Sequence, residues 1–223
     1  MPPRAVRPLA PPSVDPFLAF LALLAPRLAA ALALAAGPAA AAVVDVQALG
    51  SDGKPLPEAV VFLESAAARA AVRPLQGVEV EQAQRRFTHR VTVVTVGSEV
   101  TFPNRDKVRH HVYSFSPTKT FELKLYSGTP SNPVLFDRSG IAVLGCNIHD
   151  SMIAWIAVVE TPYHGLADAG GAVHLEGVPP GSYRLRTWHP GLPPGAAAAD
   201  EPLVVGAGGA SVRVQLPLTA ALP

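Results

Sequence analysis

The stretch Val91-Thr-Val-Val-Thr-Val-Gly-Ser-Glu-Val-Thr-Phe102 alternates apolar and polar residues and is broken once, at Gly97-Ser98. Alternation with a period of two is typical of a half-buried strand, and Gly-Ser between two such runs is turn chemistry. A second run, Ile153-Ala-Trp-Ile-Ala-Val-Val-Glu160, has the apolar content of a buried strand. Because short strands separated by turn residues recur along the chain, the sequence predicts an all-β fold, either a sandwich or a small barrel.

The segments around this region predict a further strand pair and two irregular stretches. Val43-Val-Asp-Val-Gln47 alternates, residues 51–57 favour a turn, and Ala59-Val-Val-Phe-Leu63 is apolar, a pattern typical of a hairpin. Residues 64–76 lack a β period and predict a short helix or a linker. Residues 116–135 carry many turn-forming residues, so we expect a loop-rich segment there.

Length and charge limit the class of protein. The chain has 223 residues, with 18 Lys and Arg against 17 Asp and Glu, so its formal net charge is +1. At about 100 to 200 residues per domain, this length allows one or two modest domains. A near-neutral chain without a basic run offers nothing to a phosphate backbone, and we therefore expect no nucleic-acid partner.

The first 42 residues resemble a targeting segment. Arginines precede the apolar run Leu28-Ala-Ala-Ala-Leu-Ala-Leu-Ala-Ala-Gly37, and small residues follow it, which is the pattern of a secretory signal peptide. The alternative is a membrane anchor over residues 17–36, but Pro26 and Arg27 interrupt that span. We expect a signal peptide over residues 1–42, a periplasmic protein, and no stable membrane insertion after cleavage.

The loop Cys146-Asn-Ile-His149-Asp-Ser-Met152 holds three possible metal ligands between two predicted strands. Cys146 is the only cysteine of the chain, and Met152 is its only methionine besides Met1. A thiolate, an imidazole and a weak thioether are ligands of a blue-copper centre, which needs a second imidazole as well. His110 or His111, at the start of another predicted strand, can supply it.

Taken singly, these residues have simpler explanations. Free Cys and Met are common in hydrophobic cores, but the joint spacing of Cys146, His149 and Met152 favours a metal site. Zinc is the second candidate for the same residues, although structural zinc prefers four Cys or His ligands and Met is a poor zinc ligand. Ser151 has no recognisable base or orienting acid, so we expect no catalytic residues and no enzyme activity.

Residues 78–159 resemble the cupredoxins, and the short Cys-x2-His-x2-Met loop is most similar to that of amicyanin. The resemblance rests on the strand pair at residues 91–102, the approach from Asn104 to His110, and the ligand loop. It implies a Greek-key sandwich with one type 1 copper ion that carries single electrons in the periplasm between transient redox partner proteins. In this family the first ligand His follows such an Asn by six positions, which selects His110.

The ligand set that the resemblance implies is His110, Cys146, His149 and Met152. Two positions depart from the family pattern. His111 stands where Asn usually follows the first ligand, and Asn147 stands where Ser or Thr commonly follows Cys. Both departures lie beside ligands and bear on the hydrogen bonds that brace the loop.

The chain as a whole is similar to plastocyanin-like proteins labelled methylamine utilisation protein. The flanks resemble two parts of one carboxypeptidase regulatory-like β-sandwich, on the turn residues of Asp52-Gly-Lys-Pro-Leu-Pro-Glu-Ala-Val-Val61 and of residues 168–183. After the signal peptide, the expected organisation is a first hairpin of this outer sandwich at residues 43–66, a copper domain at residues 78–159 and the remainder of the sandwich at residues 160–218.

Two functions of different classes follow from these residues. The first is an exported one-electron carrier. The second is a copper-binding or copper-handling module whose outer sandwich makes the contact with other proteins. Strong visible absorption that reductant bleaches is expected of the first, and colourless, exchangeable Cu(I) of the second.

Overall fold

The protein is described by a computed structural model over residues 41–219. Its strands are β1 (Ala42–Leu49), β2 (Val60–Glu64), β3 (Val78–Glu79), β4 (Gln82–Ala83), β5 (Arg86–Phe87), β6 (Val91–Thr95), β7 (Ser98–Thr101), β8 (His110–Ser116), β9 (Lys119–Tyr126), β10 (Val134–Phe136), β11 (Gly140–Cys146), β12 (Ile153–Val159), β13 (His164–Leu166), β14 (Ala172–Val178), β15 (Gly181–Trp188), β16 (Ala199–Val205) and β17 (Ala210–Gln215). A short helix, α1 (Ala66–Ala71), follows β2. The all-β fold class is confirmed.

The middle of the chain forms a two-sheet sandwich, which we call the central sandwich. One sheet has the strand order β6-β12-β11-β8-β9, and the other has the order β10-β7-β3. Strand β11 shows why the sequence folds this way, because its alternate residues Ala142, Leu144 and Cys146 are buried. They meet Phe102 and Phe136 in one core, so Cys146 lies at the end of a continuous row of buried side chains.

The segments on either side of it build a second structure, the flanking sandwich. Its sheets have the orders β14-β1-β17 and β13-β2-β15-β16. Aliphatic side chains from both sheets, including Val46, Leu63, Leu175 and Leu185, pack in one core. The prediction of a second small β-sandwich formed by the flanking segments is confirmed.

The predicted hairpin between β1 and β2 is wrong. Strand β1 pairs antiparallel with β14 and parallel with β17, while β2 pairs with β13 and β15 in the other sheet. Both edges of β1 are occupied, so the chain crosses to the opposite sheet after its turn. Turn residues between two apolar runs mark the change of direction but do not specify the pairing.

A third apolar cluster joins the two sandwiches. Val60 and Trp188 of the flanking sandwich pack with Val91 and Ala157 of the central one. Beside them, the Arg90 guanidinium lies 5.4 Å from the centroid of the Trp155 ring. The flanking sandwich therefore covers part of the outer face of the five-stranded sheet.

Of the two stretches predicted to be irregular, residues 64–76 contain the expected short helix, whereas residues 116–135 contain a strand. Within residues 64–76, α1 begins after Ser65, whose Oγ accepts a hydrogen bond from the Ala68 N–H at 3.1 Å. The expectation of a loop-rich segment at residues 116–135 misses β9, which occupies eight of those positions. This strand forms the edge of its sheet, and charged side chains such as Glu122 and Lys124 face outward from it.

The predicted signal peptide lies almost wholly outside the described residues, since residues 1–40 are not part of the description. Ala42, the last residue of that prediction, is the first residue of β1 and is buried. Among residues 41–219 there is no helix long and apolar enough to span a membrane.

Candidate metal centre

Two antiparallel strands bring the first pair of candidate ligands together. His110 is the first residue of β8 and Cys146 is the last residue of β11, and Cys146 pairs with Val112 in the register of these strands. Both side chains point inward, with exposed fractions of 0% for His110 and 3% for Cys146. The Cys146 Sγ lies 3.6 Å from His110 Nδ1.

The loop after Cys146 carries His149 back over this pair. The Asn147 N–H donates to the His111 carbonyl at 3.1 Å, and the Met152 N–H donates to the His149 carbonyl at 3.0 Å, so both ends of the loop are fixed. The His149 ring lies 5.1 Å, centroid to centroid, from the His110 ring. The potential ligand atoms of His110, Cys146 and His149 all lie within 4.8 Å of one another.

One atom of this cluster lacks a partner. Nδ1 of His149 is buried and makes no hydrogen bond within residues 41–219. Buried polar atoms are nearly always paired, and an exception calls for an explanation such as an ordered water, an ion or a functional role. His111 Nε2, Arg186 Nε and Thr187 Oγ1 are also buried without a partner among the described residues, but the group with Cys146 and His110 contains only His149 Nδ1. A nitrogen lone pair next to a thiol and a second imidazole is the donor set of a soft or borderline metal ion.

Met152 ends the loop and is 1% exposed. It belongs to the same core cluster as Cys146. The structure thus brings three of the four predicted ligands into one group and buries the fourth in the core cluster that contains Cys146.

The neighbouring histidine lies on the other side of the strand. Successive residues of β8 face opposite sides, so His111 points away from the cluster that contains His110. Its Nδ1 lies 3.4 Å from the Asn147 side-chain amide, and its ring meets the Tyr113 ring edge-on at 6.3 Å between centroids. Of the two candidates, the structure groups His110 with Cys146.

Asp106 is a functional contact that the sequence did not reveal. Its Oδ2 lies 2.9 Å from His110 Nε2, the ring nitrogen directed away from Cys146. The same carboxylate accepts hydrogen bonds from the N–H groups of Gln84 at 2.7 Å and Arg85 at 2.9 Å. Burial acts to raise the Asp106 pKa, but these three hydrogen bonds outweigh it and hold the pKa below its ordinary value.

Asn104 holds the segment that leads to His110. Its side-chain amide donates to the carbonyls of Val108 at 2.9 Å and Tyr126 at 3.1 Å, and its Oδ1 accepts from the Asp106 N–H at 2.9 Å. Three contacts from one buried side chain fix both the carboxylate and the first ligand strand. Asn104 therefore positions this segment through hydrogen bonds, a role that its spacing from His110 in the sequence does not reveal.

A buried polar pair lies under the same end of the sandwich. Gln82 Nε2 is hydrogen bonded to the Tyr126 hydroxyl at 2.6 Å and also lies 3.3 Å from the Phe102 carbonyl. Burial is the main cause that raises the pKa of Tyr126 to about 12, so the phenol stays neutral. Tyr126 pairs with His110 across β8 and β9, which makes this pair part of the support for the first ligand.

The outer surface of the site is apolar. Ile148 is 48% exposed, and His149, which follows it in the loop, is half-buried. Val108, in the segment before β8, is 38% exposed. Besides His149, the loop at residues 147–152 contains one ionisable side chain, that of Asp150.

Comparison with known proteins gives partial structural likenesses. No family model matches the chain, and no curated protein matches it. An amicyanin variant in the Cu(I) form is similar at 21% identity, over 44% of this chain and 98% of that one, with a TM-score of 0.34. A copper-containing nitrite reductase from Thermus scotoductus is similar at 25% identity, over 40% of this chain and 23% of the enzyme, with a TM-score of 0.35.

Proposed function

We propose that the protein is an exported type 1 copper protein that acts as a one-electron carrier. The observation that carries this proposal is the buried, unpartnered Nδ1 of His149 beside Cys146 and His110. These three side chains and Met152 match the thiolate, two imidazoles and weak thioether of a blue-copper site.

The same donor set argues against a structural zinc ion. Structural zinc sites are closed by four Cys or His ligands, whereas the cluster within residues 41–219 offers three. The same core cluster also contains Met152, whose thioether is a soft ligand suited to copper. When bound, copper supplies a couple that gains or loses one electron.

The chain contributes a site that changes little. His110 and Cys146 lie on paired strands of one sheet, and hydrogen bonds fix both ends of the loop that carries His149. Burial of the His110 and Cys146 side chains keeps water from them. Ligands held this rigidly favour electron transfer, because little rearrangement accompanies a change of oxidation state.

Access to the site supports transient partners. His149 is the most exposed of the three clustered residues, and Ile148, next to it in the loop, presents apolar surface. Electron-transfer encounters are small and weak, so an apolar patch of this kind suits a redox protein that docks and leaves. The predicted leader supports a periplasmic location for this exchange.

Absorption spectroscopy of the copper-loaded protein tests the proposal. We expect an intense visible band that reductant bleaches and oxidant restores, and we expect Cys146→Ala to abolish it. His174→Ala is the matched control, because His174 lies on the exposed surface of the flanking sandwich and should keep the band. A colourless protein with exchangeable Cu(I) would instead support the copper-handling function, and a full band in Cys146→Ala would overturn the site.

A further inference from the structure

The two-residue turn between β4 and β5 has an unusual backbone. Gln84 has φ 55° and Arg85 has φ 58°, a left-handed conformation that both residues adopt without being glycine. Two positive φ angles define the type I′ hairpin turn, where Asn-Gly is the favoured pair. Left-handed residues of this kind are strained and concentrate at functional sites.

The turn directs both of its N–H groups at one target. The amides of Gln84 and Arg85 donate to the two different oxygens of the Asp106 carboxylate. Successive N–H groups in a tight turn form a concave site for an anion. The carboxylate is thereby held in one orientation, which leaves Oδ2 also 2.9 Å from His110 Nε2.

Further contacts tie the hairpin to the strand that precedes the ligand. The Gln82 N–H donates to the Pro103 carbonyl at 2.8 Å, and the Arg105 N–H donates to the Gln82 carbonyl at 2.8 Å. The Gln82 side chain is buried against the same segment. This small hairpin thus contacts the segment that carries Asp106 and leads to His110.

We propose that the β4–β5 hairpin is a positioning device for the metal centre, acting through Asp106 on His110. The carboxylate accepts a hydrogen bond from the Nε2–H of His110, which favours the tautomer with a free lone pair on Nδ1, next to Cys146. Its negative charge also stabilises the more positive oxidation state of a bound metal. The effect on the oxidation state rests on the proposed copper function, whereas the effect on the His110 tautomer does not.

Residues that do not bind a metal can still orient the side chains that do, through hydrogen bonds. A ligand imidazole is oriented by the acceptor of its other N–H, and loss of such an acceptor typically costs 10- to 100-fold in metal affinity. Asp106 is that acceptor, and the turn amides fix where its two oxygens point. Strain at Gln84 and Arg85 is the conformational cost of aiming both N–H groups at one carboxylate.

Nuclear magnetic resonance of the metal-free wild-type protein tests the first consequence. We expect His110 to carry its proton on Nε2, and we expect the amides of Gln84 and Arg85 to exchange slowly although both residues are exposed. In Asp106→Asn both amides should exchange faster and the His110 tautomer should become mixed. A wild-type His110 protonated on Nδ1 would overturn the proposal, whatever the copper chemistry.

The reduction potential of the copper-loaded protein tests the second consequence. Asp106→Asn should weaken Cu(II) binding relative to Cu(I) roughly tenfold, which equals a rise of about 59 mV for one electron. In Asp106→Glu the reduction potential should lie between those of the wild-type protein and Asp106→Asn, because a carboxylate is still present. The double variant Gln84→Gly with Arg85→Gly should change the potential little, because both backbone N–H groups remain.

Asp150→Asn is the matched control, since it removes the same charge one residue from His149 without touching His110. An equal or larger shift in Asp150→Asn would overturn the role of the hydrogen bond to His110. A wild-type protein without the visible band would instead refute the proposed function and leave the tautomer result standing on its own.

Discussion

The central and flanking sandwiches follow the same alternation of buried and exposed residues, yet they bury different chemistry. The flanking core joins two sheets through aliphatic side chains and Tyr183. The central core ends in Cys146 and Met152, and buried polar groups such as Gln82, Asn104 and His110 cluster at that end.

The polar side chains buried at the end of the central core are not explained by hydrophobic packing. A buried imidazole or amide is costly unless each polar atom is paired. Within residues 41–219, four buried side-chain atoms lack a partner: Arg186 Nε and Thr187 Oγ1 in the flanking sandwich, and His111 Nε2 and His149 Nδ1 in the central one. Of these, His149 Nδ1 belongs to the group with a thiol and a second imidazole. The company of Cys146 and His110, rather than the unpaired atom alone, is why we place the proposed metal site at one end of the central sandwich.

The largest expected effect separates two adjacent histidines. His110→Ala should lose the type 1 spectrum, because its side chain belongs to the cluster with Cys146. His111→Ala should keep the spectrum with a shifted potential, because the His111 side chain contacts Asn147 and Tyr113 and does not belong to the group with Cys146. Visible absorption of the two copper-loaded variants checks this, and the reverse pattern would transfer the ligand role to His111.

A matched pair of core substitutions compares the sandwiches directly. Leu63→Ala in the flanking core and Leu144→Ala in the central core each empty a site that is 0% exposed. Each should lower the free energy of unfolding by about 2–5 kcal/mol. We expect Leu144→Ala to alter the copper band as well, since Leu144 is two residues from Cys146, and Leu63→Ala to leave it unchanged. An altered band in Leu63→Ala would show that the two cores are coupled.

A smaller effect concerns docking. Ile148→Glu places a charge in the exposed apolar surface beside His149 and should slow electron exchange with a redox partner by roughly tenfold, or 1.4 kcal/mol. The copper spectrum should stay nearly unchanged. Val204→Glu is the control, because Val204 is an exposed apolar residue of the flanking sandwich. If only Val204→Glu slows exchange, the docking surface lies on the flanking sandwich.

The smallest effect is a pH dependence that belongs to the flanking sandwich. Burial lowers the pKa of His189, whose Nε2 faces the Pro57 carbonyl and whose Nδ1 accepts the Gly191 N–H. Glu58 and Arg90 act on it in opposite directions. A histidine with a lowered pKa in the folded state stabilises fully above its ordinary pKa of about 6.5.

Stability should therefore fall as the pH drops from about 6.5 through the lower pKa of the folded state. His189→Gln should reduce this slope in denaturant titrations followed between pH 7.5 and 5, values chosen to bracket the ordinary histidine pKa. His164, whose pKa burial also lowers, accounts for a residual slope. An unchanged slope in His189→Gln would assign the dependence to other groups.

Local patterns in the sequence were sufficient for the strands with strong alternation and for the candidate ligand loop. Strands β6, β7 and β12 carry many β-branched residues, and the only cysteine lies close to His149 and Met152 along the chain. These features are local, so they are visible before folding.

What the sequence could not show depends on distant pairing. The β4–β5 turn lacks the Asn-Gly pair that marks a type I′ turn, and Gln84 and Arg85 adopt it because their N–H groups meet Asp106. The partner of β1 is likewise set by competition among distant strands. The contact between Asp106 and His110 requires the loop between them to be folded.

The insertion of the central sandwich between β2 and β13 sets an order of events during synthesis. Ser51 donates a hydrogen bond to the carbonyl of Leu218, 167 residues later, so the flanking sandwich needs almost the whole described chain. The strands of the central sandwich are translated in between and need no later segment.

Once closed, the central sandwich holds the end of β2 near the start of β13, where Phe62 pairs with His164. Closing a flexible loop of about 100 residues would otherwise cost on the order of 4 kcal/mol. A folded central sandwich thus reduces the entropic cost of pairing β2 with β13, and we expect it to form on the nascent chain before the sandwich that surrounds its sequence.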